Sequence, residues 1–134
     1  MTSVFADAFF YLALANPNDP ANSRADSIAA SHPGLIVTTR WVLTEVADGM
    51  ARSPQWRGWF FNFHNRLIVD PKTRIVPYSD DLYEAGLDLY ARRPDKQWSL
   101  TDCVSFVVMH REGNTEALTG DQHFVQAGFV ALLR

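Results

Sequence analysis

The chain has 134 residues, of which 47% are hydrophobic, including four Trp and nine Phe. That composition excludes a disordered chain, and the length is enough to bury the core of one domain. We therefore predict a single domain over residues 1–134. The 15 acidic and 12 basic residues leave a net charge of −3, which argues against a protein that coats polyanions generically. Nucleic acid is not excluded as a substrate, because a bound metal ion can neutralise several acids.

A single cysteine, Cys103, excludes an internal disulfide and a zinc site built on cysteines. We interpret Cys103 as core filler in a protein of the reducing cytoplasm. No basic segment precedes the first apolar run, so we expect no signal peptide. No apolar stretch approaches the roughly 20 residues that a membrane-spanning helix needs, so we expect no membrane partner.

The N-terminal half alternates short β-branched segments with helix-compatible segments. We predict strands over residues 4–7 and 35–38, a helix over residues 20–31 capped by Asp19, a helix after a Thr38 or Thr39 cap, and a helix over residues 55–65. Asp7 closes the first strand, and Glu45 lies in the helix after the second. Taken alone, Asp7 fits a simple helix cap and Glu45 fits a solvated surface residue. A functional role for Asp7 or Glu45 would require that the fold bring it close to other acidic residues.

The C-terminal half continues the alternation. Pro77 indicates an edge position for a strand over residues 74–77, and Ser79 caps an amphipathic helix that reaches residues 90–93. We predict that its inward-facing side chains are Leu82, Ala85, Leu87, Leu89 and Tyr90. A buried helix after Ser99, a strand over residues 117–119, a turn at Gly120 and a last strand over residues 129–133 complete the chain. Strands alternating with helices predict an α/β fold with a mainly parallel sheet.

Residues 98–124 are the most informative part of the chain. Ser99 is a suitable N-cap, and Asp102 follows three residues later, in the register of a capping box. The helix that they open is apolar on nearly every face, which predicts burial. Because a helix that leads into a parallel strand runs antiparallel to it, the helix start and the strand end share one edge of the sheet. We therefore expect Asp102 and Asp121 to lie close together, at the edge where open α/β sheets bind ligands.

Right-handed crossover connections can place Asp7 and Glu45 at that same edge. Two like charges about 4 Å apart repel by roughly 4 kcal/mol at an effective dielectric constant near 20, so four clustered carboxylates require protonation or a divalent cation. Oxygen ligands without Cys or clustered His favour Mg²⁺ or Mn²⁺, a combination common in phosphodiester hydrolysis. No P-loop and no G-x-S-x-G nucleophile motif occurs, which argues against an ATPase and a serine hydrolase.

Two pairs of segments resemble the PIN-domain ribonucleases and together span nearly the whole chain. D-K-Q-W-S-L-T-D-C-V-S-F and A-L-T-G-D-Q-H-F-V-Q-A-G-F are similar to the C-terminal half of that family, and V-F-A-D-A and T-T-R-W-V-L-T-E-V to its N-terminal half. Within that family, the segments most resemble the VapC-type toxins of bacterial toxin–antitoxin pairs. The resemblance implies a PIN-like, three-layer α/β/α domain around a central, mainly parallel sheet of four to five strands.

The same resemblance implies a Mg²⁺- or Mn²⁺-dependent endoribonuclease. Its catalytic and metal-binding residues would be Asp7, Glu45, Asp102 and Asp121. The implied partners are an RNA substrate, with tRNA as one candidate, and a small antitoxin protein that silences the enzyme. A homodimer is also expected, and an aromatic stripe fits either the core or a subunit interface: Trp56, Trp59, Phe60 and Phe63.

Other polar residues near the acids have two interpretations each. The basic ones are candidate contacts to RNA phosphates or solvated surface charges: Arg40, Arg92, Arg93 and Lys96. Thr119 and Ser105 are interpreted as structural hydroxyls that can also support the acids. His123 is interpreted as a hydrogen-bonded structural histidine without a catalytic role.

Two other functions fit the same pattern. One is a PIN-fold binding or assembly module that has lost catalysis; the four filled acidic positions argue against it, because an inactive copy usually loses an acid. The other is an RNA- or DNA-processing nuclease that has no antitoxin. A small antitoxin-like reading frame beside the gene would separate a toxin from such a nuclease.

Overall fold

The fold is built around a parallel β-sheet. The computed structural model describes residues 3–134, and within that range five strands form the sheet: β1 Val4–Ala6, β2 Ile36–Thr39, β3 Thr73–Val76, β4 Glu116–Leu118 and β5 Val130–Ala131. Every strand pair is parallel, and the order across the sheet is β3-β2-β1-β4-β5. Strand β3 therefore lies at an edge, as the proline after it predicts.

Helices flank this sheet. They are α1 Ala8–Ala15, α2 Asn22–Ser31, α3 Arg40–Gly49, α4 Pro54–Leu67, α5 Asp80–Arg92, α6 Leu100–Glu112 and α7 Gln122–Gln126. Helix α5 packs along α6, and α1 contacts both α2 and α3. The predicted α/β fold with a central parallel sheet is confirmed. Within residues 3–134, no helix has both the length and the hydrophobicity required to cross a membrane.

An aromatic cluster holds the two C-terminal helices against the central strand. Phe106 of α6 packs edge-to-face on Phe124 of α7 at 5.0 Å between ring centroids, and Phe124 stacks on Phe5 of β1 at 6.3 Å. Trp98 also packs edge-to-face with Phe106, at 5.0 Å. All four side chains are buried. Because each such ring removes a large apolar area from water, this cluster fixes where α6 and α7 begin relative to the sheet.

Helix α6 has strong signals at both ends. The Ser99 hydroxyl accepts the Asp102 N–H at 3.0 Å, and the Asp102 carboxylate accepts the Ser99 N–H at 3.2 Å, so the predicted capping box is confirmed. Gly113 ends the helix with a φ of 74°, a left-handed conformation that glycine adopts without strain. The residues between are largely buried, and Cys103 is fully buried, in agreement with its interpretation as core filler.

The prediction for the inward face of α5 was wrong at two positions. Leu87 and Tyr90 are exposed by 43% and 51%. Leu82 and Gly86 are the buried residues of this helix, and they are spaced by one helical turn. The reason is that α6 contacts α5 only along a narrow stripe of the α5 surface. The apolar side chains beside that stripe remain in solvent.

The largest remaining differences between the predicted and the observed elements lie at three places. Helix α2 begins at Asn22 rather than Pro20, because the Asp19 carboxylate accepts the Ala21 N–H at 2.8 Å and forms a turn first. The last strand covers only Val130–Ala131. Helix α7, directly after Asp121, was not predicted, since five residues are too few to show helical periodicity.

The α5–α6 contact gives the first testable prediction. A Cβ atom at Gly86 would lie 2.5 Å from Val104 Cγ2 and 3.2 Å from the Val104 backbone. We expect Gly86→Ala to lower the free energy of unfolding by about 1–3 kcal/mol in urea titrations, because the helices must move apart. Gly58→Ala is the control: nothing lies within 4 Å of its Cβ position in α4, so it should stabilise by about 0.5–1 kcal/mol. Equal effects of the two substitutions would contradict the close contact.

Candidate active site

The four predicted acids converge at the carboxyl edge of the sheet. Asp7 follows β1 directly, Asp121 follows β4, Glu45 lies in α3 and Asp102 lies in the first turn of α6. Each of Asp7 and Glu45 is close enough to Asp102 and Asp121 for their charges to interact. The topology explains the convergence, because β1 and β4 are adjacent parallel strands and their carboxyl ends meet at one edge.

Thr119 links two of these acids. Its hydroxyl donates a hydrogen bond to Asp7 Oδ2 at 2.9 Å and accepts one from the Asp121 N–H at 3.0 Å. The Thr119 side chain is fully buried, so it cannot exchange these bonds for water. Asp7 occupies the N-cap position of α1 but makes no side-chain capping bond. Asp7 is thus at the predicted cap position, but a cap alone does not describe it, because its carboxylate accepts the Thr119 hydroxyl and faces the other acids.

His123 completes a three-residue group with Asp102 and Asp121. His123 Nδ1 lies 3.0 Å from Asp102 Oδ2 and 3.5 Å from Asp121 Oδ1. One ligand atom from each of the three residues lies within 4.8 Å of the other two. The interpretation of His123 as a hydrogen-bonded histidine is confirmed, but its place inside the acid cluster was not predicted. The signal that could have shown it is the two-residue spacing from Asp121, which α7 turns toward Asp102.

Burial and mutual repulsion make these carboxylates hard to ionise together. Desolvation, only partly offset by the Thr119 hydrogen bond, raises the pKa of Asp7 to about 6. Desolvation at the rim of the cluster, with the charges of Asp7, Asp102 and Asp121, raises the pKa of Glu45 to about 7. Burial also raises the pKa of Asp102, against the bonds from Ser99 and His123. Glu45 is exposed to solvent, so water screens part of its repulsion.

The Asp7 pKa has a consequence for stability. The Asp7 carboxyl is harder to ionise in the folded protein than in the unfolded chain, so its protonated form favours folding. This stabilisation is fully present below about pH 4 and is lost as the pH rises through about 6. We expect Asp7→Asn, measured in chelator, to be about 3 kcal/mol more stable than wild type at pH 8 and nearly equal to it at pH 4. Urea titrations at both pH values test this.

The matched control is Asp26→Asn, because Asp26 lies exposed on α2. Its difference from wild type should not change between the two pH values. A difference for Asp7→Asn that is also independent of pH would show that the carboxyl at position 7 is not held in a desolvated, acidic environment.

The donor set fits a divalent cation. Three carboxylates with raised pKa values and a fourth acid, Asp121, supply oxygen ligands, and Cys103 has its thiol buried in the core. A cation with +2 charge would remove the repulsion that now opposes ionisation. Hard oxygen donors favour Mg²⁺ or Mn²⁺, while the nearby His123 nitrogen is tolerated better by Mn²⁺ than by Mg²⁺.

Two of the four basic residues predicted to contact phosphates are paired with acids. Arg92 Nε lies 2.9 Å from Asp88 Oδ2, and Arg93 makes two hydrogen bonds to Asp95, at 2.9 and 3.0 Å. The bonds from Arg93 lower the pKa of Asp95 to about 2. Each of these two arginines would have to break its ion pair before it could contact a phosphate.

Lys96 and Arg40, the two basic residues outside those pairs, lie beside open surface. Lys96 Nζ and the Arg93 guanidinium lie over the Trp98 ring, at 6.0 and 5.1 Å from its centroid. These side chains line a cavity of about 850 Å³ that extends to Ser99 at the start of α6. Arg40 is exposed at the start of α3 and makes no salt bridge within residues 3–134. Arg40 and Lys96 are therefore better placed than Arg92 to meet an anion.

An all-parallel five-stranded sheet with four acids at its carboxyl edge defines a class of metal-binding nuclease, and the sequence comparison names it. Residues 2–130 match the PIN domain, so the chain belongs to the PIN-domain family. Over 127 residues it is 30% identical to the 23S rRNA-specific endonuclease VapC20 of two Mycobacterium tuberculosis strains, CDC 1551 and H37Rv. That alignment covers 95% of each chain.

Solved structures agree with this assignment. The crystal structure of Mycobacterium tuberculosis VapC20, described as a sarcin–ricin loop cleaving toxin, superposes with a TM-score of 0.83 at 26% identity, over 95% of this chain and 96% of that one. FitAcB from Neisseria gonorrhoeae superposes with a TM-score of 0.66 at 17% identity, over 96% and 94% of the two chains, and supports the fold alone. The predicted resemblance to PIN-domain nucleases of the VapC type is confirmed.

Proposed function

We propose that this protein is a Mg²⁺- or Mn²⁺-dependent endoribonuclease that cleaves 23S rRNA as the toxin of a toxin–antitoxin pair. The observation that carries the proposal is the convergence of Asp7, Glu45, Asp102 and Asp121 in a chain similar over 95% of its length to a 23S rRNA-specific endonuclease. That similarity favours ribosomal RNA over tRNA as the substrate. A ribosomal substrate also supports a cytoplasmic location.

Each residue of the site has a separate role in this proposal. Asp7, Asp102 and Asp121 would hold the metal, which would supply Lewis-acid polarisation of the phosphodiester. Thr119 holds Asp7 in place, and the Ser99 N–H orients Asp102. Glu45, at the more exposed rim of the cluster, is placed to accept the proton of the attacking water.

The RNA backbone is bound beside the acids. Arg40 and Lys96, with Arg93 when its ion pair opens, contact phosphates and hold the strand across the site. Arg92 contributes only long-range attraction, because its guanidinium is engaged with Asp88. Since the whole chain carries a net charge of −3, binding depends on these local cations, and it should weaken as salt concentration rises.

Two protein partners belong to the proposal. A cognate antitoxin covers the acidic site and keeps the enzyme silent. A homodimer uses the exposed apolar side chains on and just after α4, which include Trp56, Phe61 and Val69. Trp59 and Phe63 stack on each other at 4.9 Å and pack on the core, so they support this surface from below. Light scattering that finds only the molar mass of one chain would contradict the dimer.

The proposal is tested by incubating purified protein with ribosomes, with total bacterial RNA and with deproteinised tRNA, in Mn²⁺ or Mg²⁺. We expect one discrete cut in 23S rRNA, mapped by primer extension, that disappears when chelator is added. Preferential cutting of tRNA would overturn the substrate assignment but keep the enzyme class. No cleavage of any RNA, in protein shown by calorimetry to bind Mn²⁺, would overturn the ribonuclease assignment.

A further inference from the structure

An aromatic groove leads away from the acidic site. A cavity of about 150 Å³ is lined by Glu45 and by Thr101, the neighbour of Asp102. Trp41 and Tyr78 line both this cavity and an adjoining one of about 390 Å³. The two cavities therefore form one groove, here called the Tyr78 groove, which starts at the acids and runs outward past the aromatic rings.

Tyr78 presents a ring that is exposed yet held in position. Its hydroxyl donates a hydrogen bond to the Arg40 carbonyl at 3.3 Å and is also hydrogen-bonded to the Thr44 hydroxyl. Its ring packs on Trp41 at 4.8 Å between centroids, with the two planes nearly perpendicular at 79°. Even so, 56% of the residue is accessible to solvent. A ring that is already immobilised loses little conformational entropy when a ligand stacks on it.

The chemistry of the groove selects a nucleobase. Glu45 and Asp48 supply carboxylate acceptors, and Asp80 lies further along, so a phosphate inside the groove would be repelled. A base offers a flat π-face to an aromatic ring and N–H donors to carboxylates. The backbone of Arg40 borders the groove, because its carbonyl accepts the Tyr78 hydroxyl, and its exposed, flexible side chain is long enough to contact the phosphate of that nucleotide.

We propose that Tyr78 stacks on an unpaired nucleobase next to the scissile phosphate and so restricts cleavage to loops and other single-stranded segments. This inference rests on the proposed ribonuclease function. A base inside a duplex is already stacked on both faces, so it cannot reach the ring. The Tyr78 groove therefore sets which RNA structure is cut, while the acids carry out the cut.

The test measures binding and cleavage separately. The probe is a 23S rRNA stem-loop that carries 2-aminopurine in place of one loop adenine, because stacking on an aromatic ring quenches this fluorophore. In an Asp121→Asn background with Mg²⁺, we expect Tyr78→Leu to abolish the quenching and to weaken binding by roughly 5- to 150-fold. Tyr78→Phe keeps the ring and should retain the quenching. Leu87→Ala, which removes a 43% exposed apolar side chain from α5, is the control and should bind as well as its parent.

Cleavage in the otherwise unmodified protein distinguishes the two proposals. Tyr78→Leu should raise KM by a similar factor and should lose the preference for a loop over the same sequence in a duplex. Normal cleavage with KM within twofold of wild type and quenching retained in Tyr78→Leu would overturn the role of Tyr78 and leave the ribonuclease intact. An equal loss in Leu87→Ala would also overturn it. No cleavage of RNA by the unmodified protein would overturn both.

Discussion

Asp102→Asn and Asp121→Asn are each expected to cleave RNA at least about 100-fold more slowly than wild type, because a metal ion held by these carboxylates supplies several kcal/mol of transition-state stabilisation. Asparagine keeps one oxygen at each position. It can still accept the Ser99 N–H at position 102 and the His123 N–H at position 121, so both helix starts should remain folded. Single-turnover cleavage of the 23S rRNA stem-loop measures the effect.

The control for this experiment is a variant that loses a carboxylate outside the acidic site. Asp26→Asn changes the net charge by the same amount on an exposed part of α2 and should cleave at the wild-type rate. Circular dichroism and thermal melts of each variant establish that loss of activity is not loss of folding. If Asp102→Asn retained more than about a tenth of wild-type activity, the acids could not form the metal site that the proposal requires.

Divalent metal is expected to stabilise the protein strongly. Mn²⁺ or Mg²⁺ at about 100 times its dissociation constant should add roughly 2.7 kcal/mol to the free energy of unfolding, because the unfolded chain has no clustered acids to bind it. For a chain of this length the thermal midpoint should rise by roughly 5–10 °C. The physical source is the relief of repulsion among carboxyls whose pKa values are now raised at Asp7 and Asp102.

Variants separate specific binding from a general effect of salt. Asp7→Asn should be more stable than wild type in chelator at pH 8 and should gain little from Mn²⁺, while Asp26→Asn should gain as much as wild type. NaCl at equal ionic strength provides the second reference, since it screens surface charge without occupying a site. A wild-type melt that does not respond to either metal would contradict the clustered-acid site.

Local signals were enough to predict much of the fold. The capping box of Ser99 and Asp102 depends on residues three apart, and strand β2 is a run of β-branched residues that few other conformations favour. Alternating strands and helices predicted the parallel sheet, and strand direction alone brought Asp7 and Asp121 to one edge. The catalytic roles of the four acids remain predictions, although their convergence is a property of the fold.

The sequence by itself determined the order of the elements, the helix caps and the edge of the sheet where the acids meet, because each depends on neighbouring residues or on chain direction. Only the tertiary structure decided that His123 joins Asp102, that Thr119 links two acids, and that Tyr90 lies in solvent. It also decided that the Tyr78 ring is held open beside the site. These features depend on side-chain directions set by packing between segments distant in sequence, as when α6 approaches α5 at Gly86, and no local pattern encodes them.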